Sequence, residues 1–308
     1  MINLGLRPNQ LARIKPADWW FNGFTPVKLG SQNELGDWEA YLPEVEYQNL
    51  GNFDRMNCVT YSLLNCFETL YYYQTGIKRN FSDRFIAKLS NTTKDGNWLD
   101  TVFDTARQVG LIDEERWPDS LISWDDYYKP IPQDIVDEGK EFSDNWSIYR
   151  EWINTSNDAD IVKALESSPL QATVKFATGN NILYPQGAPN HAVEIYHAEL
   201  GQWWEIYDDY SQTKKRYHWD YPFGVILKPT LIKKTNMFIP QDNQLYCLVQ
   251  GSTQILCMGY QGKLMIYDEK IDTFLNASMR SNKLLLPIPI TLDQYNSVDK
   301  VNGKNEPI

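Results

Sequence analysis

Three residue types, met in the order thiol, imidazole, carboxylate, carry the chemistry open to this chain. Cys58 stands in Met56-Asn57-Cys58-Val59-Thr60-Tyr61-Ser62, where an apolar helical pattern begins. His191 stands in Asn190-His191-Ala192-Val193, which opens a strand pattern, and Asp208 and Asp209 close the run Trp204-Glu205-Ile206-Tyr207-Asp208-Asp209-Tyr210. A thiol is a strong nucleophile only as its thiolate, and a helix N-terminus together with an imidazole stabilises that anion. The imidazole in turn needs a third group to orient it. The expectation is covalent acyl transfer through Cys58, with His191 moving the proton. Asp208 shares the apolar side of its strand with Trp204 and Ile206, whereas Asp209 falls with Glu205 on the side expected to meet solvent. An inward carboxylate requires a partner, which favours Asp208 over Asp209 as the group that holds the ring. The amide of Cys58 and the side chain of Gln48, ten residues upstream, are the candidate donors to an oxyanion. His197, deeper on the same strand face, and His218, after a charged turn, have weaker cases.

These residues need elements to position them. Val59, Leu63, Cys66, Phe67 and Leu70 form one apolar stripe at helical spacing, while Cys58, Ser62, Asn65 and Thr69 fall on a more polar face. That pattern predicts a packed Cys66 and a Cys58 turned away from the core. Further helices are expected over 81–89, with Ser82 as cap, over 98–109, stopped by Gly110, and over 158–167. Pro118, Pro130 and Pro132 mark a long irregular connection. From Leu170 the period changes to that of strands, continued at 191–198, 203–210 and 223–228; Lys214-Lys215-Arg216 reads as a solvated turn. A helical first half and a β-rich second half make an α+β arrangement with a cleft available between them. Ahead of it, residues 1–42 form an irregular lead-in whose Trp19, Trp20 and Trp38 are expected to pack on the main domain, 43–228. After Pro229 come short strands at 245–250, 254–259 and 263–267, a small β-rich module over 229–308, with Cys247 and Cys257 expected near each other as reduced thiols across its hairpin.

Composition narrows the function classes. The formal net charge of −11 gives an acidic surface that repels phosphate backbones, so nucleic acid is not an expected partner. No run of about 18 apolar residues predicts a membrane span. Residues 1–16 lack the apolar core and small-residue site of a secretory signal, which points to a cytoplasmic protein. With no C-x-x-C pair and three histidines, neither a structural metal nor any other cofactor is expected.

Over roughly residues 43 to 228 the chain resembles the papain-like (C1-type) cysteine peptidase family. Gln48 and Asn57-Cys58-Val59-Thr60-Tyr61-Ser62 match its glutamine and nucleophile helix. Phe81-Ser82-Asp83-Arg84-Phe85-Ile86, Gly96-Asn97-Trp98 and Gly110-Leu111-Ile112-Asp113-Glu114-Glu115-Arg116-Trp117-Pro118 resemble three further family segments, and Asn190-His191-Ala192-Val193 its histidine motif. The Cys-to-His separation falls in the family's range of about 130–150 residues. The chain departs from the family in carrying Val59 in place of a tryptophan, Asp208 in place of an asparagine, and a longer loop between Gln48 and Cys58. A carboxylate in place of an amide is expected to favour the imidazolium more strongly. The resemblance implies a two-lobed fold, one lobe helical and one β-barrel-like, and a cysteine-type peptidase acting on a polypeptide substrate through Cys58, His191, Asp208 and Gln48 without a cofactor. The C-terminal module is similar to ones appended to papain-like proteins of bacteriophages. This implies packaging in a virion, with the lead-in and the module as contacts to other virion or assembly proteins. Two alternatives follow: hydrolysis of cell-wall stem peptides, or a virion component that keeps the fold as structure.

Overall fold

The computed structural model describes residues 4–8, 10–13, 33, 35–49, 53–118, 123–210 and 213–234, and beyond these the strands at 245–250, 253–260, 263–266, 288–289 and 300–301. Trp19 and Trp20 of the lead-in lie outside the described residues. The chain divides into two compact units, Met1–Ile232 and Lys233–Ile308.

In the first unit the central element is helix α1, Cys58–Thr75, which ends on Gly76 in the left-handed conformation (φ 70°). The apolar stripe enters the core as its spacing requires, but every residue from Cys58 to Leu70 is buried. Cys58 itself is only 1% exposed and belongs to the core cluster. The expectation that Cys58 turns away from the core therefore fails. The polar face of α1 meets a sheet that supplies polar partners in place of water: Thr69 donates to Glu194, Asn65 to Asp209, and Gln171 Nε2 to Val59 O and Ser62 Oγ.

Helix α2, Asp83–Leu89, is capped by Ser82, whose Oγ accepts the Phe85 amide at 3.2 Å. Helix α3, Leu99–Val109, stops at Gly110. The stretch after Pro118 is not the irregular connection its prolines suggest. It holds helix α4, Trp124–Tyr127, helix α5, Gln133–Asn145, and strand β1, Trp146–Ile153. Helix α5 carries Gly139 in its interior because the end of α3 presses on it there: a Cβ on Gly139 would lie 2.2 Å from the Val109 carbonyl oxygen. Helix α6, Asp158–Leu165, is capped by Asn157.

Strands β2 (Leu170–Val174), β3 (His191–Glu199), β4 (Trp203–Tyr207), β5 (Lys214–His218) and β6 (Ile226–Lys233) join β1 in a sheet of order β1-β6-β2-β3-β4-β5. The pairs from β6 through β2, β3 and β4 to β5 are antiparallel. All five residues of β2 are buried, so the sheet is covered on both faces where α1 crosses it. Lys214-Lys215-Arg216, read from sequence as a solvated turn, is strand β5, and its residues alternate exposed and buried with Lys215 inward. None of the described helices is long and apolar enough to cross a membrane.

The second unit is built on a five-stranded sheet of order β10-β7-β8-β9-β11, from β7 (Leu245–Gln250), β8 (Thr253–Tyr260), β9 (Lys263–Ile266), β10 (Ile288–Pro289) and β11 (Lys300–Val301). In the β7–β8 hairpin Cys247 faces Leu256 and Cys257 faces Tyr246, so the two cysteines are not direct cross-strand partners.

Candidate active site

The loop ahead of α1 sets Cys58 at the first helical position. Asp54 Oδ1 accepts the Met56 amide at 2.8 Å, a turn that drives Met56 into the left-handed region (φ 55°). Asn57 then begins the helix: its carbonyl accepts the Thr60 and Tyr61 amides, and its side chain donates to the Tyr127 hydroxyl at 2.8 Å. The Cys58 sulfur meets the backbone N–H groups of Ala192 and Val59. The first of these belongs to the residue after His191, so α1 and β3 bring thiol and imidazole segments together. Burial pushes the Cys58 thiol well up, and the carboxylates of Asp208 and Asp54 add to that, while the Ala192 and Val59 amides work against it.

His191, at the start of β3, is 1% exposed. Its Nε2 lies 2.7 Å from Asp208 Oδ1, and its Nδ1 is buried with no hydrogen-bond partner among the described residues. The second oxygen of Asp208, Oδ2, accepts from Lys215 Nζ at 2.5 Å. Desolvation alone would raise the Asp208 carboxyl, but the charges and hydrogen bonds of His191 and Lys215 hold it below the usual aspartate value. Phe176 packs edge-on to His191 with ring centroids 5.3 Å apart and lies 4.7 Å from Lys215 Nζ, and Tyr210 closes on both rings. The Asp208 carboxylate is thus tied at both oxygens under an aromatic cover.

Asp209 does not face solvent as the strand alternation suggested. Strand β4 ends at Tyr207, the alternation ends with it, and Asp209 turns under α1, where Asn65 Nδ2 donates to its Oδ2 at 2.6 Å. Asp209 does not touch the imidazole in any described contact, whereas Asp208 does.

Gln48 is fully buried on the same side as the Cys58 loop, anchored by its amide to Asp209 O and by its carbonyl to Arg55. Its Nε2 is engaged, however: it donates to Leu4 O at 3.3 Å and to Asp54 Oδ1 at 3.4 Å. The segment at Leu4 runs on along the glycine turn, with Asn97 N–H donating to Gly5 O and Arg7 N–H to Asn97 O, both at 2.9 Å. Gly5 lies so close to the peptide before Asn57 that an added Cβ would sit 2.4 Å from the Met56 carbonyl. Chain from the lead-in therefore occupies the amide proposed for an oxyanion.

Sequence reading missed Asp54, Phe176, Tyr210 and Lys215. The signal for Lys215 was present, since it alternates with Tyr217 in β5, but the flanking charges masked it. No group of residues fit to hold a metal occurs among the described residues. A cavity of about 210 Å³ between Tyr41, Glu68, Tyr72 and Arg79 shares no residue with the Cys58–His191 group.

No protein-family model matches the chain, and no curated protein sequence matches it. Solved structures do. The digestive procathepsin L 3 of the Tenebrio molitor larval midgut is 16% identical with a TM-score of 0.51, over 74% of this chain and 75% of that one. The proform of the ragweed pollen allergen Amb a 11, a cysteine protease, is 14% identical with a TM-score of 0.53, over 76% and 69%. At such identities the likeness is one of architecture: this chain has a mixed helix-and-sheet fold similar to that of papain-like cysteine proteases.

Proposed function

We propose that the chain is a cysteine-type peptidase of the papain-like kind, with Cys58 as nucleophile, His191 as general acid and base, and Asp208 holding the ring. The observation that carries this reading is the division of labour at His191. Its Nε2 is committed to Asp208 at 2.7 Å, while Nδ1 is left without a partner among the described residues, on a ring whose neighbouring amide reaches the Cys58 sulfur. In the proposed reaction Cys58 gives its proton to Nδ1, and the sulfur attacks the carbonyl carbon of a polypeptide. The imidazolium then protonates the leaving amine, and a water deprotonated by the same ring hydrolyses the thioester. The Cys58 amide and Gln48 Nε2 serve the oxyanion, the latter once Leu4 has withdrawn.

An epoxysuccinyl label reacting at thiolates tests this. The expected result is modification of Cys58 in the parent chain, with little in His191→Ala and none in Cys58→Ala at that site. Labelling of Cys58 at the rate of an ordinary buried thiol, unaffected by His191→Ala, overturns it. Among the described residues no feature favours a cell-wall peptide over a polypeptide substrate.

A further inference from the structure

Lys215 presents a cost that the proposed reaction does not explain. Its side chain is 0% exposed, and its Nζ is placed 2.5 Å from Asp208 Oδ2. Taking an ammonium and a carboxylate out of water costs several kcal/mol per ion, and a well-packed apolar pair serves stability as well or better. The ion pair also sits at one particular place, on the far oxygen of the carboxylate that holds His191.

A lone buried carboxylate against Nε2 would draw a proton onto the ring and keep it there, because the imidazolium would be the only counter-charge at hand. With Lys215 in place, Asp208 and Lys215 together are neutral, and the carboxylate orients the ring much as an uncharged amide would. We infer that Lys215 is a positioning residue which, acting through Asp208, sets the proton affinity of His191 so that the ring can alternate between base and acid. This rests on the peptidase reading for its purpose, though not for its electrostatics. The expectation that a carboxylate at this position favours the imidazolium more than an amide does is thereby cancelled within the same chain.

The other charged and titratable groups around the ring come from each element packed on it. Cys58 lies on α1, Asp54 and Arg55 in the loop before it, and Tyr210 after β4 with its ring centroid 6.0 Å from the imidazole, while Asp209 is turned away under α1. Among these Asp54 is a second carboxylate acting on His191, and burial raises it above its ordinary value. Arg55 is turned to the carbonyl of Gln48 and packs on Phe53 and Tyr127. Lys215 is the cation in direct contact with the carboxylate on Nε2.

The test compares the full chain with Lys215→Met, Asp208→Asn and the double variant. Two readouts are used: the His191 titration by NMR of carbon-13-labelled histidine, and the pH profile of Cys58 alkylation by iodoacetamide. Lys215→Met is expected to move the His191 titration up by about one pH unit or more, and to extend Cys58 alkylation to correspondingly lower pH, about tenfold faster on the acid limb. The double variant, an amide with no cation behind it, is expected to return both profiles to those of the parent. Lys215→Arg, which keeps the charge, is expected to leave the His191 titration in place. Superposable profiles for Lys215→Met and the parent overturn the inference. If Lys215→Met does not fold, the double variant decides alone: a His191 titration displaced by more than about one unit overturns the inference. A His191 titration that shifts as stated, beside a Cys58 that alkylates independently of His191, upholds Lys215 and overturns the peptidase reading.

Discussion

Asp208 and Asp209 are neighbours in sequence, both are nearly fully buried, and their carboxyl groups are driven in opposite directions. Asp208 faces His191 and Lys215 and is held below the usual aspartate value. Asp209 turns to the other side, under α1, where desolvation and then the Asp208 charge push it well up. It belongs to a second region with Glu68, Asp83 and Glu194, each buried and each raised, Glu194 to about 8. No described ion pair brings a lysine or arginine to those four. Neutral donors reach three of them, Asn65 on Asp209, Thr69 on Glu194 and the Phe81 amide on Glu68, while Asp83 Oδ1, Glu194 Oε2 and Asp209 Oδ1 are buried without a hydrogen-bond partner among the described residues. Burial is common to both regions, so burial does not decide protonation. What decides it is whether the fold delivers charged hydrogen-bond partners: Asp208 has His191 first and Lys215 beside it, and Asp209 has neither.

The largest expected break in this contrast is Asp208→Ala, which strands the Lys215 ammonium in the interior and should cost about 3–5 kcal/mol in chemical denaturation. Asp209→Asn keeps the side chain's shape and, at a site where burial favours the uncharged form, should cost about 1 kcal/mol or less. Equal costs for the two would end the comparison.

The two regions should also tilt stability against pH in opposite senses. Glu194 binds its proton more tightly folded than unfolded, so between about 4.5 and about 8 the native state holds more protons than the unfolded one. Its contribution is full below that window and is lost as pH rises through it, at up to about 1.4 kcal/mol per pH unit. Asp208 behaves conversely: its contribution is present above the unfolded aspartate value and is lost as pH falls through its lowered folded value. Glu194→Gln should flatten the neutral limb of a melting-temperature profile and leave the acid limb alone. Asn65→Ala, removing the 2.6 Å donor to Asp209, should cost about 1–2 kcal/mol and grow costlier at high pH. Thr69→Val should cost about 1 kcal/mol, with the Glu194 titration moved slightly further up.

Much of the architecture could be read from residue spacing. The apolar stripe of α1, the Ser82 cap, the Gly110 stop and the β2–β3–β4 succession were legible because each is a local pattern with a local cause. The His191–Asp208 pairing followed from which side of β4 is apolar. Helix α5 and strand β1 were hidden because α5 has few apolar residues and an interior glycine that makes sense only beside α3. Lys215 was hidden because charge density outweighed alternation. Asp209 was misplaced because the alternation was carried one step past the end of β4. Cys58 was expected to turn away from the core and is buried in it, because the more polar face of α1 meets a sheet that carries its own carboxyls and amides.

The approach of Gly5 to Asn97 has a use as a clock. The Asn97 N–H donates to Gly5 O and the Arg7 N–H to Asn97 O, two bonds that tie down the segment that also occupies Gln48. The exchange of these two amide hydrogens with deuterium therefore times how often the Gln48 amide is uncovered. If both protons leave at one common rate, Leu4 to Arg7 lifts as a single piece, and that rate sets a ceiling on how often Gln48 becomes free to receive anything else.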